Sequence, residues 1–494
     1  MAKIVLFTCY DVICLGMRAL SSHLKKNGHH VTMIFFKTHS AAPVKEENLK
    51  TIMYLHYLPG QIYANGYDTN PYTETELNLL IDTIASQKPD IIGLSTRTFW
   101  LDMNSDMTEK IRKKSPKSLL IAGGYGPSLL TKEFAEIFDY VCFGEGEKTL
   151  LDLANSYDDN HYEEIKHLNN IAYINNQKEL IINPLHPPLK NLNELPFPDW
   201  DDENSFYIED DQVISDQSLI RKTTWYDIFA SRGCSSNCTY CMAGQWTNLY
   251  KDYGNITFPR IRVRNPENVI EELRERKKKY NLKYIRFMDS IFSSSEKWLD
   301  TFLALYIKEI SLPFFCNIEV RFQSMSILEK LCAAGMQETS FGIQSGSERI
   351  RKEIYNRKIS NEQIILAANF LTENKINYQH DIIGFNPFET EETLKETFDL
   401  LCSIPPKRTI VFHLNIFPNS TLEKLYQEKK PESLPPIYHL TWIYMWHLAS
   451  AGHEYRNFAK DLLTKSLNKT PLQHHDLIKE KWTELEHKES LFDE

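Results

Sequence analysis

The sequence predicts an α/β protein: an N-terminal doubly wound (Rossmann-like) parallel sheet, then a partial (β/α)6 TIM-like barrel, then a helical C-terminal tail. Three observations carry this. Short apolar runs alternate with amphipathic helical stretches over residues 1–157, which is the pattern of a parallel sheet covered by helices. A second series of about six such alternations fills residues 225–425, short of the eight units of a closed barrel. Between them the run Tyr226-Asp227-Ile228-Phe229-Ala230 reads as a buried strand and leads into a loop with three cysteines, Cys234, Cys238 and Cys241.

The chain has 494 residues, enough for about three domains on a prior of ~150 residues each. Its formal net charge of −10 argues against nonspecific nucleic-acid binding. Nine cysteines without disulfide-framework spacing fit a reducing, cytoplasmic location. Asp11 and Arg18 interrupt the N-terminal apolar run too early for a signal peptide. No stretch reaches the ~18 apolar residues of a transmembrane helix.

In the first domain, Ile4–Thr8 reads as a strand, Gly16–Lys26 as a helix ended by Gly28, and Val31–Phe36 as the second strand. Thr73–Ser86 is helical through Leu77, Leu80, Ile81 and Ile84. Asp90–Ser95, Ser118–Ala122 and Asp139–Phe143 are the next strands. The last two end in Gly123-Gly124 and Gly144-Glu145-Gly146-Glu147, at the strand ends where doubly wound sheets bind ligands. Residues 54–72, aromatic-rich with Pro59, Gly60 and Gly66, read as an irregular surface loop. Residues 158–224 read as a linker, with a hairpin signal at Asn175-Asn176 and the stiff stretch Leu195-Pro196-Phe197-Pro198-Asp199-Trp200.

The cysteine loop has C-x3-C-x2-C spacing. Three thiolates on one loop suit an iron–sulfur cluster, which usually takes four Cys. A zinc site or three ordinary cysteines are the alternatives. Zinc commonly pairs two Cys knuckles, and no second knuckle exists here; Cys316, Cys332 and Cys402 are isolated, with a distant fourth ligand from one of them as the remaining alternative.

After the loop, Asn268–Lys279, Glu296–Ile307, Met325–Ala334, Asn361–Glu373 and Glu391–Cys402 read as helices. Tyr284–Met288, Phe314–Val320, Thr339–Ile343, Tyr378–Ile383 and Thr409–Ile416 read as strands. Residues 426–494 form the helical C-terminal region. Its aromatic run Ile437–Ala451 reads as a buried helix that closes the open side of the barrel over substrate.

Cys234, Cys238, Tyr240 and Cys241, in the form C-x3-C-x-aromatic-C, resemble the signature of radical S-adenosylmethionine (SAM) enzymes. The upstream domain resembles the cobalamin-binding domain that precedes many radical SAM cores. The resemblance implies a [4Fe–4S] cluster on Cys234, Cys238 and Cys241, SAM on its free iron, and cobalamin. It places Tyr240, Asp289, Glu319, Arg321, Gln344, Ser345 and Gly384 at SAM, with Gln344 standing where the family block has Glu. It places Thr8, Tyr10, Asp11, Ile13, Gly16, Ser95, Gly123, Gly124, Gly144, Glu145 and Gly146 at cobalamin. Corrinoid domains that ligate cobalt carry D-x-H-x-x-G; here Asp11 and Gly16 fit that frame and Ile13 replaces the histidine, so no such ligand is expected. The resemblance further implies SAM cleavage to a 5′-deoxyadenosyl radical and methylation of an unactivated carbon or phosphinate. Cyclisation, ring contraction or rearrangement, and a non-catalytic regulator, are the alternatives. The implied partners are a small-molecule or peptide substrate and an electron donor such as flavodoxin or ferredoxin.

Overall fold

The computed structural model describes the chain apart from residues 39–40, 45–54, 66, 68, 97–99, 159–160, 201–203, 216–222, 293–294, 321–324, 466–469 and 486–494. Within the described residues the apolar runs build two nine-stranded sheets.

The first sheet is centred on Lys3–Cys9, with His30–Phe36 on one side and Ile91–Ser95, Leu119–Gly123 and Tyr140–Cys142 on the other, all parallel. Counted along the chain the order is 2-1-3-4-5, so it reverses beside the first strand, the switch point of a doubly wound sheet. These strands are apolar on both faces because helices cover both. Val5, Phe7, Ile34 and Phe36 pack into one cluster, and Ile4, Leu6, Met33 and Phe35 into another. The helix Leu15–Lys26 ends where expected, with Gly28 at φ +89 after it. Thr73 caps Glu74–Ser86 in a reciprocal box with Glu76.

The segment expected to link the domains instead completes this sheet at both edges. Ile171–Ile174 and Leu180–Ile182 add antiparallel strands beside Tyr140–Cys142. Ser205–Glu209 runs parallel to His30–Phe36 and turns back through Gln212–Ser215. Trp200 is buried under the Arg18 guanidinium, 3.9 Å from its ring centroid, and beside Tyr226 of the barrel.

In the second sheet Trp225–Ile228, Tyr284–Phe287, Phe314–Ile318, Met336–Gln344, Asn377–Gly384 and Thr409–His413 run parallel in chain order. This is the six-unit open barrel that the alternation predicts. Its sixth strand does not end the sheet. Leu55–Leu58 of the first domain pairs antiparallel with it, setting His56 opposite Phe412 and Tyr57 opposite Val411, and continues into Gln61–Asn65 and Ala41–Pro43. The expected irregular loop over residues 54–72 is therefore largely a hairpin covering a barrel edge, where unpaired N–H and C=O groups would otherwise face solvent; Tyr54 lies outside the described residues.

The helix Pro436–Ser450 is buried all round. It packs in the helix layer behind the last strands: Trp446 donates its Nε1–H to the Leu394 carbonyl at 3.0 Å and Thr409 donates to Ser450. A Cβ added at Gly384 would lie 2.9 Å from Ile443 of this helix. The helix thus backs the sheet rather than closing the opening over substrate. Among the described residues no helix is long and apolar enough to cross a membrane.

Candidate active site

The first barrel strand delivers the chain to the cysteine loop, and Asp289, at the end of the second strand, pins that delivery. Its carboxylate accepts from the Ala230 N–H at 3.1 Å and from the Ser231 hydroxyl. Burial raises its pKa to about 6, partly offset by these hydrogen bonds. Ser231–Gly233 then forms a two-stranded ribbon with Ile261–Val263. Gly233, at φ +94, has no room for a side chain: a Cβ would stand 2.1 Å from the Arg260 carbonyl oxygen. That carbonyl accepts the Cys234 N–H at 2.7 Å. The loop ends at Cys241, the N-cap of the helix Met242–Gly254.

All three cysteines line one cavity of about 210 Å³. It runs from the loop into the barrel, past Asn317 and Glu319 of the third strand region to Ser340 and Asp381 on the fourth and fifth strands. A larger, more open hollow lies at the opposite ends of the fourth and fifth strands, around Cys332, Met336 and Asn374. Barrel chemistry belongs at the carboxyl ends, so the cysteine cavity is the candidate site.

Arg357 organises the cavity wall. Its Nη2 lies 2.7 Å from the Glu319 carboxylate and donates to the Gly342 carbonyl at 2.9 Å, and its Nη1 reaches the Tyr240 hydroxyl at 3.5 Å and the Cys238 sulfur at 3.9 Å. Both side chains of the ion pair are nearly enclosed, Arg357 8% and Glu319 6% exposed. Burial alone would lower the Arg357 pKa, and Tyr240, Glu319 and Cys238 more than reverse this, so the guanidinium stays charged. Deeper in, Asp381 accepts from the Ser340 hydroxyl and from Gln379 Nε2 at 3.1 Å; burial raises its pKa.

Of the residues expected at SAM, Tyr240, Glu319 and Gln344 line this cavity. Asp289, Ser345 and Gly384 stand behind its wall. Asp289 anchors the loop, Ser345 lies within hydrogen-bonding distance of Glu389 and Thr397 at 3.4 Å each, and Gly384 packs on Ile443 and Val411. Arg321 lies outside the described residues. Sequence reasoning missed Arg357, Ser340 and Asp381. Arg357 follows a short π-helical turn, Ile350–Ile354, in an otherwise irregular stretch that gives no periodic signal.

The three thiols suit an iron–sulfur cluster. Burial pushes Cys241 up to about 11, offset in part by the Ala243 N–H, so this thiol becomes a thiolate when a metal takes its proton's place. The guanidinium beside Cys238 supplies positive charge next to a thiolate-bound centre.

The residues expected at cobalamin gather at the carboxyl edge of the first sheet, with exceptions. Asp11 accepts the Cys14 N–H at 2.9 Å, and the Cys14 sulfur sits 3.6 Å from the Ser95 hydroxyl across the switch point. Gly124, at φ +108, is compelled by the Thr96 carbonyl, 2.3 Å from where a Cβ would be. Thr8 and Tyr10 are each 2% exposed, and Tyr10 points its hydroxyl to the Asn70 carbonyl, so both are packing residues. Ile13 packs against the barrel core. A Cβ at Gly16 would meet nothing within 4 Å. On the helix that follows the third strand, buried Asn104 has both amide atoms without a partner among the described residues. Glycines at the edge, with open space at Gly16, and an orphaned amide fit a large ligand with a polar tail. Gly144, Glu145 and Gly146 form the turn after the fifth strand at that same edge, where Glu145 turns toward the cysteine ribbon and binds Arg262.

Residues 228–401 match the radical SAM superfamily and residues 55–154 the B12 binding domain. The chain carries a B12 binding domain followed by a radical SAM domain. The cofactors that go with its two domains are a [4Fe–4S] cluster, SAM and cobalamin. Among curated relatives, this radical SAM chain is 25% identical over 364 residues to the anaerobic magnesium-protoporphyrin IX monomethyl ester cyclase of Rubrivivax gelatinosus, covering 70% of the chain and 60% of the cyclase. It is 23% identical to the 4'-phospho-dehydrooxetanocin synthase of Priestia megaterium, covering 81% and 53% of the two. It is 22% identical to the cytidylyl-2-hydroxyethylphosphonate methyltransferase of Streptomyces wedmorensis, covering 56% and 54%. The chain thus spans a little over half the length of these relatives. Among solved structures, the fold is similar to TsrM, a radical SAM methyltransferase from Kitasatospora setae with cobalamin and [4Fe-4S] cluster bound, at TM-score 0.63, 13% identity and 87% and 78% coverage. It is also similar to OxsB with aqua-cobalamin and S-adenosylmethionine bound, at TM-score 0.61, 18% identity and 94% and 61% coverage.

Proposed function

We propose that this protein is an enzyme that cleaves SAM to a 5′-deoxyadenosyl radical and uses cobalamin to methylate an unactivated carbon or phosphinate. One observation carries the reading: the three cysteines share a cavity that continues into the barrel interior, beside a corrinoid-type strand edge docked against the same loop. When bound, the cluster supplies the electron that cleaves SAM, and cobalamin supplies a methyl carrier.

The chain's own residues hold and shield. Cys234, Cys238 and Cys241 hold the cluster. Glu319, paired with Arg357, is an acceptor for a cationic group such as the SAM ammonium. Asp381, with Ser340, is an acceptor lining the same cavity and suits a hydroxyl or amine of the substrate, a small molecule or peptide. Aromatic and aliphatic packing builds the barrel wall behind the cavity. The electron comes from a donor such as flavodoxin or ferredoxin, in a cytoplasmic setting.

The names of the cyclase and synthase relatives favour a second reading, a radical cyclisation or rearrangement without net methylation. Product analysis with methyl-labelled SAM separates the two. Methylation consumes two SAM molecules, giving S-adenosylhomocysteine and 5′-deoxyadenosine in about equal amounts. Deoxyadenosine formed with substrate, background S-adenosylhomocysteine and no added methyl in the product would exclude methylation.

A further inference from the structure

One turn of the first domain grips both ends of the cysteine loop. The ribbon leading into Cys234 sets Arg232 directly opposite Arg262. Like charges facing each other across a strand pair repel, so this register needs carboxylates from outside the ribbon. Glu145 and Glu147 provide them. Arg262 donates to both oxygens of Glu145, with Nη1 to Oε2 at 2.9 Å, and Arg232 lies 2.6 Å from Glu147 and 3.8 Å from Glu145. Burial works to raise the Glu147 carboxyl, and the Arg232 guanidinium more than offsets this, so the acid is held below its ordinary pKa.

The same turn holds the loop's exit. The Glu145 N–H donates to the Tyr250 hydroxyl at 3.0 Å, and Tyr250 is a fully buried residue of the helix that starts directly after Cys241. Gly144 permits this approach: at φ +82, a Cβ there would come within 3.0 Å of the Tyr250 hydroxyl and of Leu185. The turn follows the fifth strand of the first sheet, at the carboxyl edge where such sheets take their ligand.

We propose that Glu145 and Glu147 are positioning residues that couple the ligand edge of the first domain to the geometry of the cluster loop. This rests on the reading of the first domain as cobalamin-binding. A ligand that orders the turn orders the loop, and a filled loop orders the turn. By linkage the effect is reciprocal: cluster loading strengthens cobalamin binding by the same factor as cobalamin strengthens retention of the cluster.

The test measures hydroxocobalamin affinity of the full chain, cluster-loaded and cluster-free, in wild type and in the Glu145→Gln/Glu147→Gln variant. Wild type should bind at least about fivefold more tightly when loaded, within the usual range of coupling between sites. In the variant the ratio should fall toward one. Arg232→Lys, which keeps the charge, should retain part of it. The electron paramagnetic resonance (EPR) signal of the reduced cluster should shift on adding cobalamin in wild type and not in the double variant. Should circular dichroism show the double variant unfolded, Glu147→Gln alone, which leaves the Arg262–Glu145 pair in place, should give an intermediate ratio. Equal affinities in loaded and cluster-free wild type, or a wild-type ratio in the variants, would overturn the coupling while leaving cobalamin binding intact. No hydroxocobalamin binding to either wild-type form would remove the cobalamin reading and the coupling together.

Discussion

Replacing Arg357 with Met should weaken both the fold and the SAM site. Methionine is of similar length and fills much of the volume, so the main change is loss of the guanidinium. The Glu319 carboxylate loses a 2.7 Å ion-pair contact and the Gly342 carbonyl a 2.9 Å donor. Removing one member of a buried pair costs about 3–5 kcal/mol, because the remaining charge stays in a poorly solvated place. Here the pair borders a cavity that admits water, which puts the loss at about 3 kcal/mol, the lower end of that range. For a domain of about 200 residues each kcal/mol is worth roughly 2–4 °C, so melting should fall by about 6–12 °C. The assay is a thermal melt of cluster-free protein under reductant, which separates the ion pair from cluster loss, with SAM affinity measured after reconstitution. Arg357→Lys should fall between, since an ammonium reaches the carboxylate without the two-pronged grip. Adding Glu319→Gln to Arg357→Met should recover part of the loss, because no charge is then stranded. A melting change within about 2 °C together with unaltered SAM affinity would refute the assigned role of Arg357.

Three further outcomes follow from the site. Glu389, buried behind the cavity, has its pKa raised from 4.5 to about 8 by burial, with hydrogen bonds from Thr393 and Ser345 working the other way. The fold prefers its neutral form, so its stabilising contribution is full below pH 4.5, fades as pH rises and is gone above about 8; Glu389→Gln should gain stability relative to wild type across that window in urea titrations, and a flat difference would contradict this. Asp381→Asn should keep iron content and SAM affinity yet lower turnover of the true substrate at least about tenfold, roughly 1.4 kcal/mol of transition-state binding; lost SAM affinity would move Asp381 to the cofactor. The Co(II) form of the holoprotein should show no nitrogen hyperfine splitting in EPR, since Ile13 stands in the histidine position, and a clear histidine-nitrogen pattern would show that another residue reaches cobalt.

The barrel was readable because short strands, with positions that alternate between buried and half-buried as in Phe314–Ile318, recur in step with helices along the chain. Asn361–Glu373 comes out as expected, with Ser360 and Gln363 forming its capping box. The hairpin Leu55–Leu58/Gln61–Asn65 was not readable, because its partner, Thr409–His413, lies in the other half of the chain and pairing between distant strands leaves no local pattern. The hairpin turning at Asn175-Asn176 was legible and forms from Ile171–Ile174 and Leu180–Ile182, but that it and Ser205–Glu209 extend the first sheet was not, because their partner strands lie elsewhere in the chain. At the site, spacing alone singled out Cys234, Cys238 and Cys241, and the three line one cavity. Glu145 was assigned with its glycine-rich neighbours because its partner Arg262 is 117 residues away. Arg357 makes four contacts in the cavity wall, none to a residue near it in sequence.

The central claim is that this loop holds a cluster which acts on SAM. Its most direct measurement is EPR of the anaerobically reconstituted, reduced protein before and after adding SAM, with iron and sulfide analysis. About one [4Fe–4S] cluster per chain is expected, with a signal that changes when SAM binds, 5′-deoxyadenosine on turnover, and loss of all three in Cys234→Ala, Cys238→Ala and Cys241→Ala. Tightly bound zinc without iron, or a cluster whose signal ignores SAM, would contradict it.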